Sequence, residues 1–263
     1  MKTFIAKIFN IFKKNKKNKP EFIDCENFHP VYIISQLMKN NILIDKNYFE
    51  ELPFWEEKQK ELLDELDYNF MDTKEENRKK ALQVLPVIGN KSEIAIEMML
   101  RTFLKIEAPQ ILIDKKKYPD FIKSLPSSHN MTQVESSIEI RKLFLQTLYS
   151  LNKDHRTFFV IFYFLQNDNS HLVRKVALDL LLKEEFWENY YLPYIQKDIF
   201  EELCSQLISF IDKESDNSVL VHITDLLDKN KYFRIFRRKN YIIKLKEQLK
   251  QNKRISGILC VID

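Results

Sequence analysis

Histidine, cysteine and carboxylate side chains bind metals and move protons, and their spacing here supports neither chemistry. Of five histidines, only His29 stands in an ExxH pair, Glu26-x-x-His29. A di-iron bundle needs two such pairs and further carboxylates, and Pro30 ends the pattern at once. There is no HExxH, no GxSxG and no Cys–His nucleophile arrangement. Asp154-His155, and Asp168 with His171, read as helix-start residues, and Glu56-Glu57 and Glu184-Glu185 as solvated helix faces. Cys25, Cys204 and Cys260 lie far apart with no CxxC pair, so they read as reduced thiols and not as a zinc site or disulfide framework. Phosphate-cradling loops need glycine for close backbone approach. With only Gly89 and Gly257 there is no GxGxxG and no GxxxxGK[ST]. The expectation is a non-enzymatic protein with no metal and no cofactor.

Arginines recur in a pattern that does carry information. Arg78 is followed by Ala81, Leu82 and Leu85; Arg141 by Phe144, Leu145 and Leu148; Arg174 by Ala177, Leu178 and Leu181. Each set places its apolar residues on one helical face beside the arginine. A guanidinium at that place either lines a concave ligand surface or bonds turn carboxylates inside a stack, and the second reading is preferred. Asp168-Asn169-Ser170-His171-Leu172-Val173 also matches Asp216-Asn217-Ser218-Val219-Leu220-Val221 as DNSxLV, 48 residues apart. Asp, Asn and Ser suit a turn that opens a helix.

The elements that carry these marks are helices. Helical periodicity covers about 30–40, 46–68, a helix from about 74, then 92–107, 134–151, 154–166, 171–184, 198–212, 218–229, 231–238 and 240–252. Pro53 interrupts the second segment, whose outer face is acidic through Glu56, Glu57, Glu61, Asp64, Glu65 and Asp67. Residues 108–133, with Pro109, Pro119 and Pro126, read as a loop or insertion. Two glycines disfavour a turn-rich β architecture. The longest apolar run, Phe158 to Leu165, is eight residues, far short of the roughly 20 needed for a membrane span.

Charge is sorted along the chain. Residues 1–19 hold seven lysines and no acid; residues 229–254 hold eleven Lys or Arg and one acid, Glu247. The segment between them carries a net charge of −12. Basic ends therefore flank an acidic body, which suits an anionic partner for the ends or folding of the ends onto the body. In residues 1–14, Phe4, Ile5, Ile8, Phe9 and Phe12 form one apolar stripe, followed by Lys13, Lys14, Lys16 and Lys17. A basic amphipathic helix of this kind lies in a membrane interface with its apolar face buried. The same face suits docking on the protein's own stack or in a partner's groove. Residues 1–19 do not read as a signal peptide, because Lys7 and Asn10 interrupt the apolar residues and lysines follow. Near the other end, Lys231, Arg234, Arg237, Arg238 and Lys239 alternate with aromatics. That texture suits phosphate contacts with base stacking or an anionic membrane, whereas Phe233 and Phe236 at helical spacing suit a core.

The run from Asp168 to Leu181 resembles a HEAT repeat: Asp168 stands in the inter-helix turn, and Val173-Arg174 opens a helix followed by Ala177 and Leu178. Arg78 to Leu82 is a partial match, and Arg141 with Leu145 a weaker one; at 216–227 His222 stands where the arginine is expected. The resemblance covers about residues 72–229. It implies an all-α fold, a right-handed α-α superhelix of stacked antiparallel helix pairs, and a protein-binding or nucleic-acid-binding role without assigning a catalytic residue. The expected organisation is a cationic amphipathic helix and linker at 1–19, a helical cap at 20–71, repeats at 72–254 and a tail at 255–263. The expected function is a cytoplasmic protein-binding scaffold or adaptor, attached peripherally to the inner face of a membrane through residues 1–19. The alternative is a nucleic-acid-binding repeat protein, in DNA repair or in defence or immunity, using the basic C-terminal segment.

The N-terminal reading has a direct test. Deleting residues 1–19 is expected to abolish binding to vesicles containing anionic lipid and to leave the melting temperature of the body unchanged. Replacing Phe4, Ile8 and Phe9 with Ser is expected to do the same, since it removes apolar burial and keeps every charge. A large fall in melting temperature on deletion, with no vesicle binding by the intact chain, points to a helix that caps the stack.

Overall fold

The computed structural model describes residues 28–40, 49–50, 52, 54–90, 92–104, 135–151, 153, 155–183, 197–231 and 240–251. Among them are ten α-helices and no strand. The chain divides into two compact units, Met1–Asn90 and Lys91–Asp263.

The first unit is built on α1 (Pro30–Asn40), α2 (Trp55–Phe70) and α3 (Glu75–Ile88), each packed on the other two. Pro30 opens α1, where its missing N–H has no intrahelical partner to lose. α2 and α3 pack together, and Leu62, Leu63, Leu66 and Phe70 of α2 and Ala81, Leu82, Leu85 and Ile88 of α3 are all buried at helical spacing. The side-chain amide of Gln59 donates to the Ile88 carbonyl at 2.7 Å and so satisfies one of the unpaired carbonyls at the end of α3. Phe54 precedes α2 with φ 56° and ψ 38°, a left-handed conformation that costs a non-glycine residue about 1–3 kcal/mol. The helical periodicity from residue 46 is thus interrupted: Phe49 and Glu50 are helical, and α2 begins at Trp55, after this turn.

The second unit contains α4 (Glu93–Leu104), α5 (Ile138–Leu151), α6 (His155–Asn167), α7 (His171–Leu181), α8 (Lys197–Lys213), α9 (Asn217–Lys229) and α10 (Asn240–Gln251). α5 packs on α4, α6 and α7; α7 packs on α6 and α9; α8 packs on α10. α5, α7 and α9 therefore form one row, with α6 behind α5 and α7. Phe144 ties three helices together, its ring centroid 4.8 Å from that of Phe103 on α4 and 5.5 Å from that of Phe164 on α6. The apolar run from Phe158 to Leu165 is core, as its composition requires; all but Phe159 are buried.

α3, α5, α7 and α9 begin with the same local design. An acid accepts the backbone N–H two residues on: Asp72 from Lys74 at 2.7 Å, Glu135 from Ser137 at 2.9 Å, Asp168 from Ser170 at 2.8 Å and Glu214 from Asp216 at 2.8 Å. The helix starts at the residue after that donor. Six residues after the acid stand Arg78, Arg141, Arg174 and Leu220. Three and four residues beyond each of these lie Ala81 and Leu82, Phe144 and Leu145, Ala177 and Leu178, and Ile223 and Thr224, all buried.

This alignment corrects the DNSxLV register. Ser170 and Asp216 are structural equivalents, and they stand 46 residues apart where the sequence blocks stand 48 apart. Burial decides the matter, since Val173 is 0% exposed but Val221 is 37% exposed, while Val219 takes the buried place at 0%. The residue at the arginine position of α9 is accordingly Leu220 and not His222.

Val173, Ala177, Leu178 and Leu181 are all buried in α7, as the periodicity requires. Ala177→Asp would place an unpaired charge among them. We expect it to lower stability by about 3–5 kcal/mol or to prevent folding, measured by urea unfolding.

Candidate functional site

The arginines at the helix starts bond the turns that precede them, and Arg141 and Arg174 also reach the next turn. The guanidinium Nη1 of each donates to the carbonyl of the acid six residues earlier: Arg78 to Asp72 at 2.9 Å, Arg141 to Glu135 at 2.8 Å and Arg174 to Asp168 at 2.8 Å. The next contact links helix to helix. Arg141 Nε and Nη2 donate to the two carboxylate oxygens of Asp168 at 2.8 and 3.2 Å, both side chains almost fully buried. Arg174 Nε and Nη2 do the same to Glu214 at 2.7 and 2.8 Å. Arg141, Asp168, Arg174 and Glu214 thus form a continuous, largely buried ladder across α5, α7 and α9. It uses the planar fork that makes arginine the fitting cation for bidentate carboxylate bonding. Arg141 and Arg174 are structural, since their donors are committed within the row. The ladder stops at Leu220, which offers no donor and is buried.

Two residues, one in the ladder and one beside it, were not read from the sequence. The first is Glu214, which replaces Asp216 as the acid because Asp216 serves one step later, as the N-cap of α9. The signal for it is an acid two residues before a helix cap. The Ser218 hydroxyl and backbone N–H hold the Asp216 carboxyl below its ordinary range. At the start of α3, the Asn77 amide and the Lys74 N–H do the same for Asp72. The second is Tyr163, whose hydroxyl is buried with no hydrogen-bond partner among the described residues. Burial, with the nearby Asp168 charge, pushes it up to about 12, so it stays neutral beside the ladder.

The row of α5, α7 and α9 carries an open groove of about 490 Å³. Val176, Leu180 and Leu226 give it apolar surface, and Gln146, Lys183 and Lys229 give it polar rim. Asn230 Nδ2 donates to the Leu182 carbonyl at 2.8 Å and fixes the end of α7 against the end of α9. Lys183 holds its ammonium 4.9 Å from the Tyr149 ring centroid, and Lys153 approaches the same ring at 5.2 Å. Lys229 is paired with Asp225 at 2.7 Å, and Asp179, also on the lining, is joined to His222 Nε2 at 2.7 Å. The groove residues lie after the arginine positions along the helices, from Val176, two residues past Arg174, to Asn230 at the end of α9; Leu180, Leu182 and Asn230 are buried in its floor. A sequence read for its apolar stripe passes over them.

The residues singled out from sequence are placed unevenly. Phe4, Ile5, Ile8, Phe9, Phe12, Lys13, Lys14, Lys16 and Lys17 lie outside the described residues, as do Arg234, Arg237, Arg238 and Lys239. Lys231 is described and half-buried just after α9. His29 is exposed ahead of α1, and Glu26 lies outside the described residues. Among the described residues no group of three or more His, Cys, Asp or Glu is placed to hold a metal ion. No family model matches this chain, no curated protein matches it, and no solved structure matches it.

The ladder can be dissected by a double-mutant cycle. Arg141→Leu strands a buried Asp168 carboxylate and should cost about 3–5 kcal/mol. Asp168→Leu strands the guanidinium and the Ser170 N–H and should cost a similar amount. The double variant should cost clearly less than the two together, because each single change leaves the other charge uncompensated. Urea unfolding of the four proteins measures the coupling.

Proposed function

We propose that this chain is a non-enzymatic helical-repeat scaffold that binds a partner protein in the groove of α5, α7 and α9. The observation that carries this reading is the ladder from Arg141 to Glu214. It fixes three neighbouring helices by their starts, inside the stack, and leaves their outer sides free to present a preformed surface. Preformed grooves with apolar floors and a few placed polar groups are the sites at which binding costs least in ordering. The stack is HEAT-like in this reading: helix pairs with an acid in the turn and an arginine in the following helix, bonded from one pair to the next. Stacks of this kind bury each pair against its neighbours and present extended surfaces.

Residues 1–19 add peripheral attachment to an anionic membrane, a proposal that rests on their apolar stripe and seven lysines. No helix among the described residues is long and apolar enough to cross a membrane.

The test is affinity capture with the intact chain and with a Val176→Glu/Leu226→Glu variant. Both residues are only half-buried, so the variant should keep the helical circular-dichroism spectrum and melting temperature. Proteins retained by the intact chain should be lost from the variant. An unchanged set of retained proteins would exclude the groove as the binding surface.

A further inference from the structure

α2 buries one side and leaves the opposite side open. Its buried residues, Leu62, Leu63, Leu66 and Phe70, centre on one direction around the helix axis. Directly opposite, alternately three and four residues apart, stand Phe54, Glu57, Glu61, Asp64, Tyr68 and Met71. This spacing keeps a single stripe running along a helix, here about 25 Å long at the helical rise. All six are exposed, and the apolar ones unusually so: Phe54 is 77% exposed, Tyr68 78% and Met71 68%.

The stripe has an order: an aromatic at one end, three carboxylates in the middle, and an aromatic with a methionine at the other end. Among the described residues none of these three carboxylates takes part in an ion pair, although Lys60 stands three residues after Glu57 and four before Asp64. On α3, by contrast, Lys79 and Lys80 bond Glu75 and Glu76 one turn back, so such pairs do form in this unit. Phe54 adds an independent mark. It is exposed at a left-handed backbone position that glycine would adopt freely. Strain of that kind gathers at binding sites.

We propose that the outer stripe of α2 is a docking surface for a lysine- or arginine-rich amphipathic helix of a partner protein. Charge complementarity selects this occupant. Unpaired carboxylates at Glu57, Glu61 and Asp64 take the basic residues of the incoming helix, and Phe54, Tyr68 and Met71 cover its apolar residues at both ends. Aromatic and methionine side chains are those enriched where one protein packs on another. The surface belongs to the first unit and is independent of the groove in the second, so either reading can fail alone.

The probe is a fluorescein-labelled 18-residue peptide of leucine and lysine in helical alternation, titrated into the full-length chain by fluorescence anisotropy. An unstructured peptide of equal positive charge, with serine in place of leucine, serves as the control. Saturable binding is expected, weakening with salt, and at least about tenfold tighter than the control. Glu57→Gln/Glu61→Gln/Asp64→Asn should weaken it about tenfold, as three rim charge contacts at exposed sites can. Phe54→Ser/Tyr68→Ser should weaken it separately, which keeps the test readable if the first variant does not fold. Both variants change solvated side chains, so their melting temperatures should match the wild type. Absence of saturable binding, equal binding of the two peptides, or wild-type affinity in both folded variants would overturn the proposal.

Discussion

A buried charge needs a counter-charge, and in the second unit that requirement organises the helices. Asp168 is held from three sides. Its carboxylate takes the guanidinium of Arg141 and the N–H of Ser170, while its own carbonyl takes Arg174. The first of these bonds joins α5 to the turn, the second starts α7, and the third orients the next arginine. Charge-assisted bonds of this geometry are strong when fully satisfied and costly when half made. The start of α7 is therefore conditional on α5, and Glu214 makes the start of α9 conditional on α7 in the same way.

Much of this was legible in the sequence, and the failures have physical causes. Among the described residues most helix positions followed from apolar spacing, because a stripe at three and four residues is what burial on one side demands; the helix expected at 231–238 lies almost wholly outside them. The arginines at 78, 141 and 174 stood out because a cation beside an apolar stripe needs a reason. Repeat register was misread at 216–221 because DNSxLV matches letters, whereas the structure matches roles. An acid can bind the arginine and the following N–H, or it can cap the helix, and Asp does either. In the first pair Asp168 does the former; in the second, Glu214 does so and Asp216 caps. The groove was not legible at all, since it depends on which three helices lie side by side.

The two units differ in how they use charge. In the second, the ionic groups that matter are buried and consumed in bonds between helices. In the first, Arg78 donates to the carbonyls of its own turn, at Asp72 and Thr73, and α2 displays its carboxylates outward. The acidic character of the middle of the chain is therefore not one property. Part of it is internal cement, and part of it is surface.

The ladder also bears on how such a chain changes length over evolutionary time. Arg141 reaches an acid 27 residues downstream, and Arg174 one 40 residues downstream, yet the two bonds have the same geometry. The extra residues fall between one row helix and the following turn, never inside the turn. Within Asp168–Ser170 or Glu214–Asp216, a single inserted or deleted residue would separate the acid that bonds the arginine from the N–H it must also bind. Insertions are thus filtered by place: the three-residue turns are closed to them, and the segments that lead from a row helix to the next turn are open.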